Sequence, residues 1–133
     1  MAESPKKAFA ASAFALEYVT SSVSVLANDG IVVHVVNDSG VPEDVHVVIY
    51  QNTGAGAVTV ADTGRVSVAA TWTWSLGFTV KNPGEYWVRI QTTSESLIPK
   101  ADFQRVAGAI WTSLVDYKPG DFAVFSLTRK RLW

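Results

Sequence analysis

The chain has no cysteine and a single methionine among its 133 residues. Without a thiol it can form no disulfide, hold no metal through a thiolate and use no cysteine nucleophile, and the redox state of its compartment is left open. Charge is also sparse. Charged residues make up 17% of the composition, and eleven basic against twelve acidic side chains leave a formal charge of -1. No field of one sign is available to recruit nucleic acid or an anionic membrane, so nucleic acid is not expected as a partner. No apolar run reaches the length of a membrane-spanning helix, and membrane insertion is not expected either. Histidine occurs twice, at His34 and His46.

What the chain does have is apolar and aromatic content. A hydrophobic fraction of 48% is too high for a disordered polymer. A chain of this length can bury roughly 68% of the surface that its unfolded form exposes. The organisation expected is a flexible leader over 1–11, one β-sandwich domain over 12–128 and a basic tail over 129–133. In the leader, Lys6 and Lys7 precede the mildly apolar Ala8 to Leu16, which imitates a signal peptide. Glu3 among the basic residues and Ser12 within the alanine-rich stretch make the imitation poor. Localisation is therefore left open.

From Ser12 onward, short runs of valine, threonine and aromatics alternate with clusters of Gly, Pro, Asn, Asp and Ser, and no window sustains a helical period. This predicts an all-β chain, an immunoglobulin-like sandwich of about seven to nine antiparallel strands. The strands are expected near 12–19, 22–27, 30–37, 45–52, 57–61, 65–71, 72–80, 85–92 and 121–128. The stretch 93–120 reads as a long loop.

In a strand successive side chains point to opposite faces. Trp72, Trp74, Leu76, Phe78 and Val80 therefore share one face, as do Tyr86, Val88 and Ile90, and both sets are assigned to the core. Trp87 falls on the other face with Glu85, Arg89 and Gln91. Two strands start alike, Pro83-Gly84-Glu85-Tyr86-Trp87-Val88 and Pro119-Gly120-Asp121-Phe122-Ala123-Val124. Proline fixes φ for the second position of a turn and glycine accepts the positive φ of a type II turn, so each pair is expected to turn the chain into a strand.

The stretch Ile31-Val32-Val33-His34-Val35-Val36-Asn37-Asp38-Ser39-Gly40, followed by Val45-His46-Val47-Val48-Ile49-Tyr50, resembles the opening of bacterial immunoglobulin-like adhesion modules of the CARDB type. Gly84-Glu85-Tyr86-Trp87-Val88-Arg89-Ile90 looks like the strand of such sandwiches that begins with a corner tyrosine. The likeness spans about half of the chain. Ser94 to Pro99 stands where those modules carry an acidic segment and paired asparagines. The resemblance implies non-catalytic adhesion, or spacing between other domains, in a bacterial protein.

No enzyme is expected from the remaining chemistry. If their strands paired, His34 and His46 could offer two nitrogen ligands, but a transition-metal site needs a third or fourth, and in the immunoglobulin order these strands fall in different sheets. Asp38, Glu43 and Asp44 with Asn37 supply oxygen ligands without the spacing of a calcium loop, and read as a solvated turn. Gly54, Gly56 and Gly64 lack the lysine and helix start of a phosphate cradle. No serine occupies a nucleophile elbow. No catalytic residue, metal or cofactor is assigned.

The expected function is a structural or protein-interaction module. The alternative is a carbohydrate- or other ligand-binding module centred on Trp87 with Arg89 and Gln91, an aromatic among hydrogen-bonding groups. The plainer reading of Trp87 is packing beneath the loop 93–120, which Trp111 would anchor. Arg129-Lys130-Arg131 and Trp133 read as a solvated or docked tail. Self-association through an edge strand or a sheet face is a further expectation, although alternation does not say which strand is the edge.

Overall fold

The computed structural model describes residues 13–104 together with the strand segments 122–124 and 127–131. Among the described residues all ten elements are strands: β1 (Leu16–Thr20), β2 (Val23–Val25), β3 (Gly30–Asn37), β4 (Glu43–Thr53), β5 (Gly56–Val68), β6 (Thr73–Thr79), β7 (Gly84–Thr92), β8 (Leu97–Gln104), β9 (Phe122–Val124) and β10 (Leu127–Arg131). Two of them, β2 and β9, are only three residues long. The other eight fall within the range that the sequence predicts.

The strands form a sandwich of two antiparallel sheets. The larger sheet has the order β10-β1-β7-β4-β5, with β2 also paired to β7, and the smaller has the order β6-β3-β8-β9. The pairs β3–β6 and β4–β7 correspond to the central pairs of an immunoglobulin sandwich. The flanking places are exchanged relative to that order: β8 lies beside β3, and the first strand, β1, lies beside β7. Between the sheets lie Ile31, Val33 and Val35 of β3, Val45, Val47 and Ile49 of β4, Tyr86, Val88 and Ile90 of β7, and Leu97, Ala101 and Phe103 of β8. Burying each large side chain contributes about 1.5–3 kcal/mol.

Two buried polar devices close the ends of this core. Asn37, 1% exposed, donates from Nδ2 to the carbonyls of Val41 at 2.9 Å and Val68 at 3.0 Å, and its Oδ1 accepts from the Ser39 amide at 3.0 Å. At the other end the Tyr86 hydroxyl donates to the Asn82 carbonyl at 2.5 Å, four residues upstream, which is the geometry of a tyrosine corner.

Several elements differ from expectation. The two strands expected at 57–61 and 65–71 are one, β5, which ends at Val68 and runs through bulges opposite His46/Val48 and Ile49/Tyr50. Gly64 takes a φ of +63°, and the Thr63 hydroxyl accepts from the Val47 amide at 3.0 Å, so the bulge replaces a strand break. The segment 121–128 divides between β9 in one sheet and β10 in the other. Arg129, Lys130 and Arg131, expected in a tail, lie in β10, in register with Tyr18, Glu17 and Leu16. Part of the expected loop, 97–104, is β8. Gly84 has a nearly extended φ of +159° rather than that of a type II turn, and it pairs with Val25 as the first residue of β7. Its lack of a side chain matters instead for the Gln51 amide, which would lie 2.8 Å from an added Cβ. Pro119-Gly120, Trp111 and Trp133 lie outside the described residues.

Candidate functional site

The outer face of the larger sheet carries the residues singled out by sequence. Tyr50 and Trp87 are directly opposed on β4 and β7. Their rings stack face to face, with centroids 4.2 Å apart and planes 19° from parallel. The indole N–H of Trp87 donates to Asn52 Oδ1 at 2.9 Å, and Asn52 Nδ2 donates to Ser22 Oγ at 3.0 Å. The Arg89 guanidinium lies 5.8 Å from the Tyr50 ring centre and 3.9 Å from Glu17 Oε1. Gln91 Nε2 donates to the same Glu17 oxygen at 3.1 Å.

Trp87, Arg89 and Gln91 are therefore brought together on one face, as alternation requires. Each is engaged with a neighbour on that face. Tyr50 covers one face of the indole. The partner that sequence reasoning missed is Tyr50, on a strand separated in sequence and brought alongside only by the β4–β7 pairing. The described part of 93–120 crosses to the smaller sheet as β8. Trp87 packs against Tyr50 rather than beneath that part.

The histidines lie in different sheets. His34 Nδ1 is 2.8 Å from Ser75 Oγ, and His46 Nε2 is 2.6 Å from Asp62 Oδ1. The Gly64 amide donates to Asp62 Oδ1 at 2.8 Å. That hydrogen bond, followed by the one from His46, holds the Asp62 carboxyl below its ordinary value of 3.8. Arg65 Nε donates to Asp44 Oδ2 at 2.5 Å, and its guanidinium sits 4.6 Å from the Phe14 ring centre. Glu43 accepts from the Thr93 hydroxyl at 2.8 Å. The turn Asn37–Asp44 is thus stitched to its own surroundings. No group of three or more His, Asp or Glu side chains converges as a metal site among the described residues.

The smaller sheet shows something that the sequence pattern does not. Trp72, placed in the core by alternation, is 67% exposed. The reason is local: it precedes β6 in a turn where Thr71 adopts a φ of +63° and the Trp72 amide donates to Ala69 O at 3.1 Å. The other members of its set behave closer to expectation. Val80 is buried, while Trp74, Leu76 and Phe78 are half-buried against the core. Beside Trp72, Val36 pairs with Thr73 on one side and Ile98 on the other. Val36 and Ile98 are 39% and 53% exposed, and Val41 in the adjoining loop is exposed too. Exposed apolar groups thus lie at one end of this sheet, where Asn37 bonds the carbonyls of Trp72 and Val41.

A cleft of about 290 Å³ opens between the sheets on the β5/β6 side, lined by Gln51, Val60, Phe78, Thr79, Lys81 and Tyr86 among others. Burial raises the Tyr86 phenol above its ordinary value of 10.0. No helix of the described residues is long and apolar enough to cross a membrane.

No protein-family model matches the sequence, and no curated protein is significantly similar to it. Among solved structures, the crystal structure of Thermotoga maritima 1070 is similar in fold, with a TM-score of 0.54 at 6% identity over 89% of this chain and 92% of that one. At that identity the likeness establishes the all-β sandwich and nothing about activity.

Proposed function

We propose that this chain is a non-catalytic protein-interaction module that meets its partner through the exposed apolar end of the smaller sheet. The observation that carries this reading is Trp72, 67% exposed at the end of the smaller sheet where Val36, Ile98 and Val41 are exposed as well. Apolar groups gathered on an otherwise polar surface mark contact sites, and tryptophan is among the side chains most often found at their energetic centres. Asn37 orders the loops beneath them, so little conformational entropy remains to be lost on binding. The adhesion or assembly role implied by the family resemblance is of this class. The alternative is a sugar- or other ligand-binding face centred on Trp87, whose indole stacks on Tyr50 beside Arg89 and Gln91.

The test uses photo-crosslinking side chains placed singly at positions 72 and 98, with Thr59 and Asp62 on β5 as exposed control positions. A discrete crosslinked species from 72 and 98 but not from the controls, lost from 98 when Trp72→Asp is added, is the expected result. Equal capture at all positions, or none, overturns the proposal. A glycan array with Trp87→Ala as control tests the alternative, which requires saturable binding that the substitution removes.

A further inference from the structure

Strand β6 ends the smaller sheet, and among the described residues it pairs only with β3. The direction of its backbone groups follows from its two ends. The Asn37 amide donates to Trp72 O at 2.8 Å, and the Val80 amide donates to Asp29 O at 2.8 Å. In an antiparallel ladder the hydrogen-bonded residues alternate. Trp72, Trp74, Leu76, Phe78 and Val80 therefore turn their N–H and C=O groups toward β3. Thr73, Ser75, Gly77 and Thr79 turn theirs to the outer edge.

Native sheets blunt such edges with charge, proline or bulges. The opposite edge of the larger sheet, β5, has these defences, with Asp62, Arg65 and two breaks in register. β6 has none: Thr73–Thr79 contains no charged residue and no proline, and its register with β3 is unbroken. Its sequence, Thr-Trp-Ser-Leu-Gly-Phe-Thr, is also self-complementary about Leu76. Read against itself in reverse, threonine meets threonine, tryptophan meets phenylalanine, serine meets glycine and leucine meets leucine.

We propose that β6 is a self-association strand, pairing antiparallel with β6 of a second copy about a two-fold axis at Leu76, so that two four-stranded sheets become one continuous sheet. This rests on the interaction-module reading above and names the partner for one edge of the same sheet. The register satisfies the backbone. Thr73 faces Thr79 of the copy and Ser75 faces Gly77, and each such pair exchanges both hydrogen bonds through the groups that point outward. Leu76 meets its own copy at a non-hydrogen-bonded position, where its polar groups remain bound to β3. On the inner face, Trp74 comes opposite Phe78 of the second copy. The half-buried Trp74, Leu76 and Phe78 thereby gain the cover that an edge position denies them. No like charges meet anywhere along the strand.

Sedimentation of the full chain over a concentration series should show a reversible monomer–dimer equilibrium. Two substitutions probe the edge while leaving β3 pairing intact. Ser75→Pro removes an outward N–H, as proline on an edge strand can. Gly77→Lys puts a charge where an added Cβ meets nothing within 4 Å. Each should weaken dimerisation about tenfold or more, with thermal unfolding and far-UV circular dichroism confirming that the fold is retained. Leu76→Cys provides the sole thiol of the chain and should give a disulfide-linked dimer under mild oxidation. The non-hydrogen-bonded pair places the two Cα atoms about 4.5 Å apart, within disulfide reach. Ser67→Cys, on β5, should not crosslink.

A chain that remains monomeric overturns the proposal, as does a dimer that both edge variants leave intact or one that crosslinks equally through Ser67→Cys. Capture of a different protein from position 72 by a monomeric chain would leave the module reading standing and remove only the self-pairing. A dimer without capture at 72 would do the reverse.

Discussion

The amide of Asn37 holds the carbonyl of Trp72 at 2.8 Å, while its side chain holds the carbonyls of Val41 and Val68. One buried carboxamide thus fixes the β3–β4 loop and the β5–β6 turn together. Asn37→Ala removes the side-chain donor from the buried Val68 carbonyl and one of the two donors to Val41 O, and should cost about 1–3 kcal/mol. Asn37→Asp should cost at least as much, because it aims acceptors at acceptors. Urea unfolding measures both, with Asn52→Ala on the surface expected to change stability by less than about 1 kcal/mol.

Tyr86 makes a prediction at the alkaline end. Its hydroxyl bond to Asn82 O is lost in Tyr86→Phe, at a cost of about 0.5–1.5 kcal/mol at neutral pH. Burial raises the phenol, so the folded chain keeps its proton after the unfolded chain has lost it. Stability should therefore fall as pH rises above 10 toward the folded value, and Tyr86→Phe should remove this tyrosine's part of the decline. Unfolding titrations from pH 8 to 11 would show the two curves converging.

Asp62 works at the acid end. Bonds from the Gly64 amide and His46 lower its carboxyl below the ordinary 3.8. The stabilisation is fully present above that value and is lost as pH falls through the lower folded value. Asp62→Asn should accordingly be less stable than the parent at pH 5 to 6, with the gap closing below pH 3. The effect is small because the group is exposed.

The Tyr50–Trp87 stack should contribute more than an isolated surface pair. Trp87→Ala should cost about 1–3 kcal/mol, and Trp87→Phe, which keeps a stacked ring but loses the bond to Asn52, about 1 kcal/mol. Neither change should alter self-association through β6. A double-mutant cycle with Tyr50→Ala isolates the stacking energy.

What could be read in advance was local. The alternation of Tyr86, Val88 and Ile90 against Trp87, Arg89 and Gln91 needs only a period of two, and a tyrosine behind Gly-Glu is enough to suggest the corner that the structure contains. Trp72 was misplaced because the same period continues through it in sequence, while the chain turns at Thr71 with a positive φ that a non-glycine residue rarely adopts. The gap expected between strands at 57–61 and 65–71 is a bulge, with Gly64 at positive φ, since glycine serves either purpose. Edge strands were not legible at all. Which strand ends a sheet depends on pairings between distant segments, and β6 shows its self-complementary register only once β3 reveals which of its backbone groups turn away from that pairing.

The position of β1 has a consequence in time. Leu16–Thr20 sits between β7 and β10, with Leu16 in register with both Thr92 and Arg131. As the ribosome releases the chain from its N-terminus, this strand must wait for β7 before finding any partner and for β10 before the larger sheet can close around it. Such distant pairings place folding in the range of about milliseconds to seconds. Until then β1 remains unpaired, exposed to misassembly or to chaperones.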